Sequence, residues 1–303
     1  RSTPLYSSAA SDVYKRQPCA LRRWRKHPIK ARRSGEWAAF KSAVQATSYD
    51  AVIDAQGLLK SAFITRLSRG PKFGLDKYSA REGLSARVLD HPLPVARGQH
   101  AIKRVRQLFS QALGYTLPDA APDYGLPREH VPTPLSEPAE LVFCHGTTWP
   151  TKHYPEAFWR QLLELACSDG HRVHLPWGND EEKARAERLA AGLERVCVLP
   201  KMGLDALTDK LLSWDAFIAV DTGLAHLAAA AGLPGVALYG PTDPMLTGVQ
   251  GLRASSLAAD FPCAPCVQEK CTYRGELGKG IEPPCFSSLK PRHVWQQLLR
   301  VAS

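Results

Sequence analysis

The second half of the chain repeats short apolar runs separated by longer amphipathic segments. The runs LVFCH, HRVHLPW, VCVLP, DAFIAV and PGVALYG predict buried strands, and the segments between them have the period and length of helices. Strands that alternate with helices in this way are typical of a parallel, doubly wound sheet. The pattern therefore predicts an α/β domain over residues 139–290, followed by a helix over residues 291–303.

The first half carries a weaker version of the same pattern. DAVID predicts a strand, and GLLKSAFITRLSRG and HAIKRVRQLFSQALG predict helices. A polar, proline-rich stretch follows, and we interpret its residues 131–138 as a linker between an N-terminal domain (18–130) and the C-terminal domain. We expect two doubly wound, Rossmann-like domains facing a cleft, with the final helix packed back on the N-terminal domain.

Composition restricts the class of protein. The chain has 303 residues, of which 44% are hydrophobic, and no apolar stretch reaches the length of a membrane span without interruption. Residues 1–17 show no periodicity, and we interpret them as a non-native segment. Eight cysteines in a chain of this length do not make a disulfide scaffold, which favours a cytoplasmic protein.

The net charge of +10 is concentrated near the N-terminus, where nine Lys or Arg residues and no acidic residue lie between Asp12 and Glu36. Such a block is typical of proteins that contact nucleic acid, an anionic membrane or an acidic substrate, although a solvated surface is the simpler explanation. No RNA-recognition, zinc-finger or helix-turn-helix signature accompanies it. We therefore expect no nucleic-acid partner.

The candidate chemistry lies where predicted strands end. In AVDTGLAHL, Asp221 ends a strand, Thr222 is placed to cap the next helix, and Gly223 lets a ligand approach the backbone. The N-terminus of that helix favours an anion such as a phosphate, and His226 lies one turn along it. An ordinary capped turn beside a structural histidine explains the same residues.

A second candidate segment, CHGTTWPTKHYP, also follows a predicted strand. The hydroxyls of Thr147 and Thr148 and the ammonium of Lys152 suit a diphosphate without a metal ion. Glu182, at the end of the next strand, can accept hydrogen bonds from ribose hydroxyls, or it compensates a helix dipole. The chain contains no P-loop, GxGxxG, HExxH or Asp-X-Asp sequence, so a phosphate site would have to work without them.

Four cysteines form the remaining candidate site: Cys263, Cys266, Cys271 and Cys285. A C-x2-C pair with two further cysteines can form a tetrahedral zinc site. Their irregular spacing is equally compatible with unligated thiols. The sequence leaves both interpretations open.

The segments VDTGLAHLAAAAGLPGVALYGPTDP, GTTWPTKHYP and YDAVIDAQGLLKSA together resemble the bacterial lipopolysaccharide heptosyltransferases of glycosyltransferase family 9. The resemblance implies a GT-B fold and an inverting transfer of L-glycero-D-manno-heptose from ADP-heptose to Kdo-lipid A. It implies no required cofactor, and a location in the cytoplasm on the inner face of the inner membrane. By motif match, Lys152 and Asp221 are catalytic, and the donor is bound by Thr147, Thr148, Lys152, Glu182, Asp221, Thr222, Gly223 and His226.

The resemblance also gives the basic N-terminal half a role in binding the acceptor and an anionic membrane surface. The matching positions are Arg23, Arg25, Lys60, Arg81, His100 and Arg104. Nothing in the chain matches the family's first strand and its turn with a general-base Asp. From this we expect a truncated N-terminal domain that lacks its first strand or strands, and an inactive chain.

Two other classes of function remain as alternatives. Another GT-B nucleotide-sugar transferase, or an epimerase-like sugar enzyme, would share the doubly wound halves. A basic, non-enzymatic protein that binds a membrane surface or nucleic acid would share the charge.

Overall fold

The computed structural model describes residues 19–126 and 128–303, so the interpretation of residues 1–17 lies outside the described residues. The chain divides into two compact units. The first contains the described residues up to 97 together with 103–117, and the second contains 98–102 and the described residues from 118 to 303.

The first unit combines a small parallel sheet with helices. Its helices are α1 (Leu21–Lys26), α2 (Pro28–Arg33), α3 (Glu36–Gln45), α4 (Leu59–Leu67) and most of α5 (Ala101–Leu113). Its strands are β1 (Val52–Asp54), β2 (Lys72–Leu75) and β3 (His91–Leu93), paired in that order. An aromatic cluster joins α1, α3 and α4, with the Trp24 and Trp37 rings 5.6 Å apart and the Trp37 and Phe63 rings stacked at 5.5 Å.

The second unit is a parallel sheet with helices, as the alternating pattern predicts. Its strands are β4 (Glu140–Cys144), β5 (Arg172–Leu175), β6 (Val196–Val198), β7 (Ala216–Val220), β8 (Gly235–Tyr239) and β9 (Ala254–Ala258). Its helices are α6 (Glu156–Ser168), α7 (Asp180–Ala190), α8 (Leu204–Leu211), α9 (Gly223–Ala230), α10 (Pro244–Thr247) and α11 (Pro291–Ala302). The strand order is β6-β5-β4-β7-β8-β9, and every pairing is parallel.

The burial of the central strands explains why they read as continuous apolar runs. All five residues of β7 and all five of β8 are buried, because helices cover both faces of the sheet. Strand β9 was not predicted, because its sequence ASSLA is short and polar and its residues are only partly buried or exposed. Strands β2 and β3 were not predicted either, and they are three or four residues long.

The final helix packs elsewhere than predicted. Helix α11 lies against α6 and against strands β7, β8 and β9 of its own unit, which corrects the expectation that it returns to the N-terminal domain. Its buried residues Val294, Trp295 and Leu298 join the core beneath the sheet. The Trp295 indole N–H also donates to the Asp169 carboxylate at the end of α6, at 2.9 Å.

The boundary between the units also differs from the prediction, because residues 118–130 belong to the second unit. The Arg128 guanidinium donates to the carbonyls of Leu211, Trp214 and Ala231. The predicted linker is tied to the same unit through Asp215, whose carboxylate accepts from the Thr133 N–H at 2.7 Å. A proline-rich composition is therefore not a sign of a loose connection here.

None of the helices within the described ranges has the length and apolar character needed to cross a membrane.

Asp215 should be a strong stability determinant of the second unit. Its buried carboxylate accepts from the N–H groups of Thr133 and Glu140, both at 2.7 Å, and contacts the His130 Nε2 at 2.8 Å. Asp215→Ala should lower the free energy of unfolding by about 3 kcal/mol, because it leaves buried donors without an acceptor. Hydrogen exchange of the β4 and β7 amides in increasing urea measures this. Asp209→Ala, the matched change at an exposed position, should lower the free energy of unfolding by less than about 0.5 kcal/mol.

The same carboxylate should make stability depend on pH. Burial acts to raise the pKa of Asp215, but the hydrogen bonds from Thr133, Glu140 and His130 outweigh it, and the net pKa is lowered. A lowered pKa in the folded state means that the stabilisation is complete above the unfolded carboxyl pKa of about 4 and is lost as pH falls below it. The difference in unfolding free energy between the parent and Asp215→Ala should therefore shrink on acidification. A difference that stays constant from neutral pH to below about pH 3 would contradict this assignment.

Candidate functional site

The predicted donor residues converge on one cavity of the second unit. It has a volume of about 590 Å³ and lies where β4, β5 and β7 end. All eight of those residues line it: Thr147, Thr148, Lys152, Glu182, Asp221, Thr222, Gly223 and His226. Because the carboxyl ends of parallel strands share one edge of a sheet, side chains far apart in sequence meet there.

An ion pair forms the centre of this site. The Lys152 ammonium lies 2.8 Å from the Asp221 Oδ2, and both side chains are largely shielded from solvent. Lys152 comes from the 3₁₀ turn Pro150–Lys152 after β4, and Asp221 follows β7 directly. The ammonium also lies 4.8 Å from the centre of the Trp149 ring, which favours a cation.

Two threonines hold Asp221 in place. The Thr242 hydroxyl donates to the same Asp221 Oδ2 at 2.7 Å, and the Thr147 hydroxyl donates to the Asp221 carbonyl at 2.9 Å. Thr242 lies in the turn after β8 and was not among the predicted site residues. The rule that points to Asp221 also applies to Thr242, since both follow a buried strand at the same edge of the sheet.

Glu182 is positioned by its backbone surroundings. Its Oε2 accepts from the Gly178 N–H at 2.7 Å, and the Asn179 side chain caps α7 by accepting from the Glu182 N–H at 2.9 Å. A Cβ on Gly146 would lie 2.7 Å from the Glu182 carboxyl carbon. Only glycine at position 146 leaves room for this carboxylate beside the end of β4.

The start of α9 differs from the prediction in one detail. Thr222 occupies the N-cap position, but its side chain makes no capping hydrogen bond. A Cβ on Gly223 would meet nothing within 4 Å, so the cavity is open at this helix N-terminus. Burial lowers the pKa of His226, and the nearby Asp221 acts in the opposite direction. The open helix N-terminus leaves space for an anion beside this imidazole.

The remaining wall of the cavity is largely apolar. Trp177, Met202 and Leu207 line it, and the Trp177 indole donates to the Leu199 carbonyl at 2.6 Å. Sequence inspection missed these residues because apolar side chains near a strand end also serve as ordinary core. Together with the polar residues they give the cavity both charged and apolar lining groups.

The predicted acceptor-side residues fall into two groups. In the first unit, Arg23 and Lys60 line one shallow cavity, and Arg23 pairs with Glu36 at 2.7 Å. Exposed Arg81 shares no described cavity with them, and Arg104 donates to the Ser79 carbonyl at 2.7 Å. The side chain of Arg25 lies outside the described part of the structure.

His100 belongs to the second unit, in contrast to its predicted place in the N-terminal domain. Its Nε2 lies 2.8 Å from the Gly248 carbonyl in the turn after α10. This contact joins His100 to the part of the second unit that follows α10.

The comparisons with known proteins agree with this geometry. The family model described as glycosyltransferase family 9 (heptosyltransferase) matches residues 37–276. The lipopolysaccharide heptosyltransferase 1 of Pseudomonas aeruginosa is 50% identical over 289 residues, covering 93% of this chain and 81% of that protein. The chain belongs to glycosyltransferase family 9.

Solved structures of this family confirm the predicted fold class. Escherichia coli heptosyltransferase WaaC with ADP has a TM-score of 0.78 and 39% identity, covering 94% of this chain and 82% of that one. Escherichia coli heptosyltransferase WaaC with ADP-2-deoxy-2-fluoro heptose has a TM-score of 0.73 and 38% identity, covering 92% and 81%. This family 9 chain is thus a GT-B glycosyltransferase built on parallel α/β sheets.

The four cysteines of the candidate metal site, hereafter the cysteine cluster, line a second cavity of this family 9 protein. The cluster consists of Cys263, Cys266, Cys271 and Cys285. Burial, followed by the proximity of the other three thiols, raises the pKa of Cys285 to about 12. In residues 19–126 and 128–303, no three His, Cys, Asp or Glu side chains are already placed to hold a metal ion. The four thiols therefore lie near one another, but they are not yet arranged as the ligands of a metal ion.

The fit between Gly146 and Glu182 can be tested through stability. Gly146→Ala should displace the Glu182 carboxylate and lower the free energy of unfolding by about 1–3 kcal/mol, because the added Cβ overpacks this contact. Urea denaturation measures this change. In a Glu182→Ala background, Gly146→Ala should lower the free energy of unfolding much less, because the two residues act through one contact. Gly203→Ala is the matched control, since a Cβ there meets nothing within 4 Å.

Proposed function

We propose that this heptosyltransferase uses the second-unit cavity to bind ADP-heptose and transfers the heptose to the Kdo sugar of Kdo-lipid A. The observation that carries the proposal is the convergence of Lys152, Asp221 and the open start of α9 in one cavity. An ammonium and a helix N-terminus are the groups that bind a diphosphate without a metal. The combination of charged, polar and apolar lining residues suits a nucleoside diphosphate.

Each part of the donor has a partner of suitable chemistry. The diphosphate would lie between Lys152, Thr148 and the N-terminus of α9, and the Glu182 carboxylate would accept from ribose hydroxyls. The nucleobase would lie against Trp177 and Met202. Asp221 would then face the junction between diphosphate and heptose.

The transfer itself needs charge stabilisation at the leaving group. When the acceptor hydroxyl attacks the anomeric carbon, its proton passes to water or a base, the bond to ADP breaks and negative charge grows on the diphosphate. The Lys152 ammonium supplies the compensating charge from a fixed position, because Asp221 and Trp149 orient it beforehand. Inversion follows if the hydroxyl attacks from the face opposite the diphosphate.

The acceptor and membrane assignment has its own support in the first unit. Lys60 and Arg32 flank a groove lined by Trp24, Trp37 and Phe63. Of these three rings Phe63 is exposed, Trp37 is partly exposed and Trp24 is buried. Cations beside an apolar groove suit an amphiphile with phosphates and carboxylates, such as Kdo-lipid A in an anionic membrane surface. Helix α2, which supplies Arg32, carries two more cations, Lys30 and Arg33, and no acidic residue in its first turn.

Removing the Lys152 ammonium should slow transfer strongly. We expect Lys152→Ala to reduce kcat by about 10²–10³, as removal of one preorganised stabilising donor does in other enzymes. Lys210→Ala, at an exposed position on α8, is the matched control and should leave the rate unchanged. The assay follows ADP release with ADP-heptose and Kdo-lipid A, and calorimetry with ADP gives the binding contribution. A rate within twofold of the parent would reject this role for Lys152.

The acceptor assignment predicts a different kinetic signature. Lys60→Ala should raise the KM for Kdo-lipid A by about fivefold, as expected for the loss of one cation near an anionic surface. ADP affinity should not change, because the donor cavity lies in the other unit. Lys41→Ala, on exposed α3 surface, serves as the control. An equal rise in KM for Lys60→Ala and Lys41→Ala would indicate a general effect of positive charge and would contradict a specific site at Lys60.

Donor competition separates this proposal from the alternative transferases. ADP-heptose should compete with bound ADP far better than UDP-sugars do.

A further inference from the structure

The segment between β9 and α11 is long and has little regular structure. Between residues 259 and 290 the one regular element is the 3₁₀ turn Pro284–Ser288. Ordered loops of this length without a sheet or helix are uncommon and usually have a functional or structural reason. Among the backbone hydrogen bonds that the described residues form in turns and loops, only one has its N–H donor between residues 268 and 280. That donor is the Lys279 N–H.

The cysteine cluster is distributed over this segment so that it spans both ends. Cys263 and Cys266 lie near its start, Cys271 follows, and Cys285 lies in the closing 3₁₀ turn. All four line one cavity of about 400 Å³, and none forms a disulfide in the described chain. A crosslink between these positions would close the loop.

We propose that the cysteine cluster binds one zinc ion, which closes this segment against the second unit. The donor set consists of sulfur, which zinc prefers in structural sites with four protein ligands. The C-x2-C pair supplies two ligands from one turn, and the other two come from the middle and the end of the segment. No carboxylate lines the cavity, which disfavours magnesium and calcium.

Binding would require the thiols to move together, since they do not yet form a metal geometry. Each cysteine that ligates zinc gives up its proton, and the Zn–S bonds replace the S–H bonds. The small number of backbone hydrogen bonds in the segment makes this adjustment feasible. Gly240 keeps the opposite wall close, because a Cβ there would lie 3.1 Å from the Cys285 Sγ.

The segment also touches the back of the donor site. The Thr151 hydroxyl donates to the Gln268 carbonyl at 2.6 Å, and the Val267 N–H donates to the Pro241 carbonyl at 2.7 Å. Thr151 precedes Lys152, and Pro241 precedes Thr242. Zinc in the cluster would therefore stabilise the two turns that carry the Lys152 and Thr242 side chains, without contacting the donor.

The first experiment measures metal directly. The full chain, expressed with added zinc and purified without chelator, should contain about one equivalent of zinc by elemental analysis. Cobalt-substituted protein should show the d–d absorption of tetrahedral sulfur coordination. Zinc below about 0.1 equivalents in the parent, or stoichiometric iron in its place, would overturn the proposal.

The second experiment compares cysteine variants. Cys266→Ser and Cys271→Ser should lose most of the zinc, whereas Cys197→Ser, an exposed cysteine on β6, should retain it. The zinc-depleted variants should show a lower Tm and an ADP affinity reduced by about threefold to tenfold, because the turns behind Lys152 are less constrained. Equal zinc content in all three variants would overturn the proposal. If the cluster variants do not fold, the zinc content and cobalt spectrum of the parent still decide it.

Discussion

The Asp221 carboxylate joins turns that leave adjacent parallel strands. It follows β7, it pairs with Lys152 from the turn after β4, and it accepts from Thr242 after β8. The parallel register of β4, β7 and β8 brings these turns to one edge of the sheet. Without that register the ammonium and the carboxylate would be unrelated charges on separate loops.

This arrangement solves an electrostatic problem in the cavity. A shielded carboxylate would repel an anionic ligand, and burial of an unpaired charge is costly. Lys152 neutralises Asp221, and the Thr242 hydroxyl satisfies the same oxygen. The open N-terminus of α9 then adds its own preference for an anion. The site is thus prepared for a diphosphate by groups that already hold one another in place.

The two units differ in the kind of surface that they present. The second unit has a closed core with a polar cavity at the sheet edge, whereas the first exposes cations next to aromatic rings. This division of chemistry fits the proposed function, in which one unit binds a nucleotide-linked sugar and the other a lipid-linked anion. Family membership is consistent with that division, and the surface of the first unit gives it a physical basis.

The amino-acid sequence is enough to predict the alternation of strands and helices in the second unit, because fully buried strands must be apolar and surface helices must be amphipathic. It also placed the polar residues at the correct strand ends. The tertiary structure was needed to show that Thr242 contacts Asp221 and that Gly146 accommodates Glu182, because those contacts depend on strand register and backbone spacing. It alone assigned Arg128 and α11 to the second unit, because an arginine or an apolar helix face does not specify which surface will cover it.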